Sequence, residues 1–322
     1  MKPESPGLLS VVLLSYNSAD RIRRCHERLG AALSAADIPF ELVVMDDGSS
    51  DGSYTVAREL EKECPNVRAY RLSRNFGSHY SIFAGLSKCR GACAMPMVDD
   101  EQQPYDTVVE MYRLWQQGHK IVIPCRAQRD DAWLGKLLSR AFYRLMNAVT
   151  DVCYPPGGAD LFFIDREVVD ILNARIHPIN TSSIAEVLRL GFDPYFLPYH
   201  RPLGLNGGKS RWTFRKKLRL AKDNFFSAST FPIRVISMVG WVSFLWALAA
   251  GVFYSYIALW GNSSFWGRRI PGWTFLVVLI CAFGGLLLLS LGVIAEYIWR
   301  IYEEVKGRPG YIIREKEDDD VR

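Results

Sequence analysis

The sequence predicts an α/β protein with a mostly parallel, doubly wound sheet and flanking helices, followed by a membrane anchor. Three observations predict it. From Leu9 to Pro124, short apolar runs alternate with segments of helical periodicity, the pattern of strands joined by crossover helices. Three polar clusters close apolar runs, at the carboxyl ends of strands where such sheets bind ligands. Beyond Ile233 the composition shifts to two long uncharged stretches.

The elements follow in order. Leu9–Ser15 is an apolar run read as a buried strand, and Ser18–Ala36 is helical, with Ser18 or Asp20 as its cap. Phe40–Met45 is a second strand that ends sharply in Asp46-Asp47-Gly48-Ser49-Ser50-Asp51-Gly52. Tyr54–Cys64 is helical, Val67–Leu72 is a third strand, and His79–Cys89 is helical. Ala92–Val98 is a fourth strand, Thr107–Gln117 is helical, and Lys120–Pro124 is a fifth strand.

Val235–Trp260 runs for 26 residues without a charge and Trp273–Ala295 for 23. A helix of about 20 apolar residues crosses a bilayer, so both are long enough, and the short Gly261–Gly272 link makes them a hairpin. Arg211, Arg215, Lys216, Lys217, Arg219, Lys222 and Arg234 precede the pair, and Arg300, Lys306, Arg308 and Arg314 follow it. The link holds only Arg268 and Arg269. That bias puts the large N-terminal part and the tail in the cytoplasm, at the inner (plasma) membrane.

Between sheet and hairpin, Trp212–Phe231 interleaves Lys216, Lys217, Arg219 and Lys222 with Leu218, Leu220, Phe225 and Phe226. That describes an amphipathic helix lying at the membrane interface. The expected domains are 1–210, a cytoplasmic α/β domain; 211–232, the interfacial helix; 233–300, two membrane helices; and 301–322, a cytoplasmic tail. Glu296 pairs with Arg300 at four residues' spacing. Net charge is mild at +5, and no nucleic-acid partner is expected. The seven cysteines are scattered without a zinc-site pattern and read as free thiols.

Two clusters carry chemistry. Asp46–Gly52 reads either as a turn of Asp, Gly and Ser or as carboxylates that accept hydrogen bonds from a base edge or ribose. In Asp99-Asp100-Glu101-Gln102-Gln103, adjacent carboxylates either bind Mg²⁺ or Mn²⁺ or form a solvated turn at a helix start.

Taken together, Tyr16-Asn17, Asp46-Asp47-Gly48-Ser49, Arg74-Asn75-Phe76-Gly77 and Asp99-Asp100 with Gln102 resemble family 2 glycosyltransferases in order and spacing. More closely, they resemble the polyprenyl-phosphate sugar transferases. Gly207-Gly208-Lys209-Ser210-Arg211-Trp212 is similar to a glycine–any–serine–basic–aromatic element of that family. Ala295–Pro309 is similar to the segment after its second membrane span. The resemblance implies a GT-A fold, a nucleotide-sugar donor (UDP-linked as the commoner carrier), a polyprenyl (undecaprenyl) phosphate acceptor, inversion at the anomeric carbon, and a homo-oligomer.

By the same resemblance Tyr16, Asn17, Asp46, Asp47, Arg74, Asn75 and Asp99 form the donor site. Asp100 and Gln102 hold Mg²⁺ or Mn²⁺, and Asp100, Asp160 and Arg126 are the catalytic candidates. Arg126, Arg129, Lys136, Lys209, Ser210 and Arg211 hold the acceptor phosphate, which is largely a dianion at neutral pH and needs no strong base to attack. The chain departs from the family at Val98, in place of an acidic residue, and at Phe162, in place of an arginine. Two other readings stand beside this one. A polysaccharide synthase is one, although Gly208 occupies the place of that motif's glutamine. A non-catalytic scaffold that binds nucleotide sugar is the other.

Overall fold

The computed structural model describes residues 7–100, 103–126, 161–179, 182–199, 235–243 and 272–314, with residues 147, 155, 159, 245, 246 and 249. It divides into two compact units, Met1–Ala228 with Pro309–Arg322, and Ser229–Arg308.

The first unit is built on seven strands: β1 (Leu9–Ser15), β2 (Phe40–Asp46), β3 (Val67–Arg71), β4 (Cys93–Val98), β5 (Ile121–Arg126), β6 (Phe163–Asp165) and β7 (Pro194–Tyr199). Their order in the sheet is β3-β2-β1-β4-β6-β5-β7. Pairings β1–β2, β1–β4, β2–β3 and β5–β7 are parallel, and β6 is antiparallel to both its neighbours. The helices are α1 (Ile22–Ala35), α2 (Ser53–Glu63), α3 (Ser78–Leu86), α4 (Tyr105–Gln116), α5 (Arg166–Arg175) and α6 (Ser183–Arg189).

Burial explains why these runs are strands. All seven residues of β1 are buried, as a central parallel strand covered on both faces requires. Side chains alternate between the two faces. Val12, Leu14, Val43 and Met45 pack with Phe83 of α3, Val169 of α5 and Ile184 of α6. Val11, Leu13, Leu42 and Val44 pack with Leu29 of α1, Leu60 of α2 and Met111 of α4. The result is two helical layers around one sheet.

The five expected strands and four expected helices are all present, with ends shifted by a few residues. One local expectation fails. Neither Ser18 nor Asp20 caps α1, because Arg21 takes the cap position. The Ser18 hydroxyl instead pairs with the Ser15 hydroxyl at 2.9 Å, and its N–H donates to Ser53 Oγ at the start of α2, also at 2.9 Å. The five described cysteines are free.

In the second unit residues 235–243 are helical, and α7 (Gly272–Val305) is a single helix of 34 residues. Among the described residues, Phe283–Val305 of α7 is long and apolar enough to cross a membrane by length and composition. The helix runs past the uncharged stretch, and Arg300 donates to Glu296 at 3.3 Å, the expected pair. Most of the first uncharged run, and the whole of 211–232, lie outside the described residues.

Candidate active site

Strand register decides which side chains meet. Ser15 pairs with Asp46, Leu14 with Val98, and Asp46 with Arg71. The chain therefore leaves β1, β2, β3 and β4 at one level. Tyr16-Asn17, Asp46–Gly52, Leu72–Gly77 and Asp99-Asp100 follow one another along the carboxyl edge of the sheet. The row straddles β1, which has β2 on one side and β4 on the other. Loops leave such a reversal point toward opposite faces, and the crevice between them is where open α/β sheets bind ligands.

Hydrogen bonds lock the first two loops together. Asn17 stands in the left-handed region at φ 50, which asparagine tolerates better than most residues. Its N–H donates to Ser49 Oγ at 2.9 Å, and its Oδ1 accepts from the Ser50 N–H at 3.1 Å. The Ala19 N–H donates to Asp51 Oδ2 at 3.2 Å. Asp46 is fully buried and serves this framework. Its Oδ2 lies 3.2 Å from Arg71 Nε and accepts from the Ser49 N–H at 3.2 Å.

Asp47 does a different job. Its Oδ1 accepts from the Phe76 N–H at 2.7 Å and its Oδ2 from the Gly77 N–H at 2.8 Å. Gly77 is the cap residue of α3, so a carboxylate sits at the positive end of that helix. Arg74 and Asn75, just upstream, are exposed on the row, with the Arg74 guanidinium 4.1 Å from the centre of the Phe76 ring. Tyr16 and Asn17 are exposed beside them.

Gly48 lets these loops close on each other. Its φ is +68, and a Cβ there would stand 2.7 Å from the Arg74 carbonyl carbon and 2.9 Å from the Asn75 nitrogen. Backbone atoms cannot step aside as a flexible side chain can. Gly48→Ala is expected to cost about 1–3 kcal/mol in strain and to weaken donor binding with it. A thermal midpoint and donor affinity both equal to wild type would show that the loops do not close this tightly.

On the far side of β1, Asp99 is buried at the N-terminal end of α1, with Arg21 Nη1 3.8 Å from its Oδ1, and Asp100 is half-buried. Among the described residues no three His, Cys, Asp or Glu side chains converge as a metal site. The donors that are present do fit a divalent cation. They are hard oxygens, and the neighbouring Gln103 is 4% exposed with neither amide atom hydrogen-bonded among the described residues.

The sequence that builds this edge has relatives among known proteins. The Glycosyl transferase family 2 model matches residues 10–168, which span β1 to the start of α5. The uncharacterized glycosyltransferase YkcC of Bacillus subtilis is 32% identical over 95% of this chain and 93% of its own length. An uncharacterized glycosyltransferase of Synechocystis is 30% identical over 95% and 94%. The SfII prophage-derived bactoprenol glucosyl transferase of Shigella flexneri is 29% identical over 95% and 97%. The chain belongs to glycosyl transferase family 2.

In this family 2 glycosyltransferase the fold brings Tyr16, Asn17, Asp46, Asp47, Arg74, Asn75, Asp99 and Asp100 to one edge. Asp46 meets Ser49 and Arg71 rather than the crevice. The backbone of Arg126 ends β5 on the same edge, because β5 runs parallel to β4 through the intervening antiparallel β6. Gln102, Arg129, Lys136, Asp160, Lys209, Ser210 and Arg211 lie outside the described residues, as does the Arg126 side chain. Phe162, at the family's arginine position, is a core residue, 1% exposed among Ile121, Ile164 and Ala94.

Three residues were not singled out from the sequence. Arg71 could have been found, since the expected strand Val67–Leu72 ends beside Asp46. Arg21 and His79 gave no local signal. His79 Nδ1 accepts from the Ser183 N–H at 2.8 Å, tying α3 to α6, and burial pushes the imidazole down to about 4, so it is neutral at physiological pH.

Burial also raises the Asp46 and Asp47 carboxyls above their ordinary 3.8, against hydrogen bonds from Ser49 to Asp46 and from Phe76 and Gly77 to Asp47. The folded state then binds these protons more tightly than the unfolded chain. Their contribution to stability is present below pH 3.8 and is lost as pH rises through the raised values. Asp46→Asn, which cannot titrate, should therefore lose less stability over that rise than wild type does. Parallel thermal midpoints for the two proteins across the pH series would contradict this.

Proposed function

We propose that this protein transfers a sugar from a nucleotide-sugar donor, UDP-linked, to polyprenyl phosphate at the cytoplasmic face of the plasma membrane. The product is a lipid-phosphate-linked monosaccharide for cell-envelope glycan modification. The observation that carries this reading is the row of Tyr16-Asn17, Asp47, Arg74-Asn75 and Asp99-Asp100 across the reversal point of the sheet. Likeness along nearly the whole chain to a bactoprenol glucosyl transferase supports the lipid acceptor.

In this reading Tyr16, Asn17, Asp47, Arg74 and Asn75 line the nucleoside end of the donor. Asp100 with Gln102 would hold Mg²⁺ or Mn²⁺, whose charge stabilises the departing diphosphate. Asp99, paired with Arg21, supports Asp100 from behind. The acceptor phosphate oxygen attacks the anomeric carbon as the bond to the diphosphate breaks, in one displacement that inverts that carbon and releases the nucleoside diphosphate. Arg126, Arg129, Lys136, Lys209, Ser210 and Arg211 are the groups assigned to hold the phosphate dianion near the diphosphate, and Asp160 orients it. Spans over 235–260 and 273–295, with an interfacial helix over 211–232, would keep the site against the membrane, and we assign the active form to a homo-oligomer.

The test uses purified full-length protein, undecaprenyl phosphate, Mn²⁺ or Mg²⁺, and radiolabelled UDP-, GDP- and dTDP-sugars. Label moving into the lipid phase from one donor supports the reading and names the sugar. Donor binding without transfer from any of them would overturn it in favour of a nucleotide-sugar-binding scaffold, with Val98 and the buried Phe162 as the reason.

A further inference from the structure

We infer that residues 309–314, separated in sequence from the end of α7 by three residues, are a positioning strap for the donor loop. This rests on the functional reading above only for what the loop binds.

The strap belongs to the first unit, where it returns to the sheet beside β3. Ile313 bridges antiparallel to Leu72. The Ser73 N–H donates to the Ile312 carbonyl at 2.9 Å, and the Arg314 N–H donates to the Arg71 carbonyl at 2.8 Å. Tyr311 and Ile313 pack on the core cluster that contains Leu72 and Phe83. β3 is the last strand at that side of the sheet, so the strap also covers an edge.

Edge cover alone does not explain where it attaches. The strap holds Arg71, Leu72 and Ser73, and the next four residues are Arg74, Asn75, Phe76 and Gly77. Arg74 and Asn75 press on Gly48, and Phe76 and Gly77 supply the two N–H groups to Asp47. A second line of contact leads to the same place. A Cβ on Gly310 would stand 3.2 Å from Tyr80 Cε1 and 3.1 Å from Pro178 Cγ, so the strap is seated tightly on both. The Tyr80 ring lies 6.2 Å from the ring of Phe76, over which Arg74 stacks. The strap thus reaches the donor loop through the backbone of β3 and through an aromatic pair, and these contacts are with residues not assigned to the substrates.

Two variants of the full chain release it differently. Arg314→Pro deletes the N–H that bonds Arg71, and Ile313→Asp sets a charge against the core. Hydrogen exchange of the amides at 73–77 is measured in each, with donor KM, acceptor KM and kcat. Losing one backbone bond of ordinary net strength corresponds to about a fivefold effect and losing both to about thirtyfold, so exchange at Phe76 and Gly77 should rise about tenfold, and donor KM with it. Acceptor KM and kcat should stay within about twofold. Unchanged protection at Phe76 and Gly77 in both variants would overturn the inference. So would unchanged donor KM once that protection is lost. If the wild-type protein turns over no nucleotide sugar, the functional reading fails, and exchange at Phe76 and Gly77 alone decides whether the strap positions the loop.

Discussion

Asp100→Asn should lower sugar transfer to lipid by roughly a thousandfold while leaving the thermal midpoint close to wild type. Two features make this the largest effect on rate. Asp100 lies two residues beyond the end of β4, at the carboxyl edge where the strand order reverses, and it is half-buried rather than part of the core. Asparagine keeps its size and one oxygen but removes the charge that a divalent cation needs. Asp99→Asn gives the contrast. Asp99 is buried against Arg21, so neutralising it leaves a buried guanidinium facing a neutral amide, and the loss should appear in stability as well as in rate. Mn²⁺ titration followed by tryptophan fluorescence separates the two, with affinity lost in Asp100→Asn and largely kept in Asp99→Asn. Transfer by Asp100→Asn at a tenth of the wild-type rate or more would remove Asp100 from the centre of the chemistry.

Asp47→Ala should be the most damaging single change to the donor side. It strips two N–H groups, those of Phe76 and Gly77, of the carboxylate that receives them at 2.7 and 2.8 Å. Leaving such donors unpaired costs about 2–4 kcal/mol for the two. The same residues carry Arg74 and Asn75 against Gly48, so donor affinity should fall at least tenfold along with stability. Asp47→Asn can accept only one of the two bonds and should lie between alanine and wild type. Urea unfolding and equilibrium binding of the nucleotide measure the two losses separately. If alanine lowers donor affinity with no change in stability, Asp47 contacts the nucleotide alone and does not hold the loop.

The sheet was legible because its strands are apolar runs bounded by helical periodicity, and because β1, β2 and β4 are buried on both faces. β6 and β7 were not. β6 is three residues long, and β7 carries Pro194 and Pro198 with three of its six side chains exposed, so neither has a strand's pattern. The acidic ends of β2 and β4 were visible as clusters, but their division of labour was not. Asp46 and Asp47 are neighbours in sequence, yet one faces Arg71 and the other the start of α3. Adjacent positions point opposite ways in extended chain, and only the packing says which way holds the ligand. The strap shows the same limit. Tyr311 and Ile313 sit among charged residues near the end of the chain, and their partner Leu72 is more than two hundred residues away.

The short strand β6 has a mechanical meaning. Among the described strands it alone pairs with both β4 and β5, with two register pairs on each side. A seam so narrow bends more easily than the seven-residue ladder between β1 and β2. One leaf of the sheet bears Asp47 and Asp100, and the other ends in Arg126. Within the sheet four register pairs at β6 set the spacing between those two leaves, and Val108 and Met111 of α4 pack with Val11 of β1 and Val122 of β5 across the same seam.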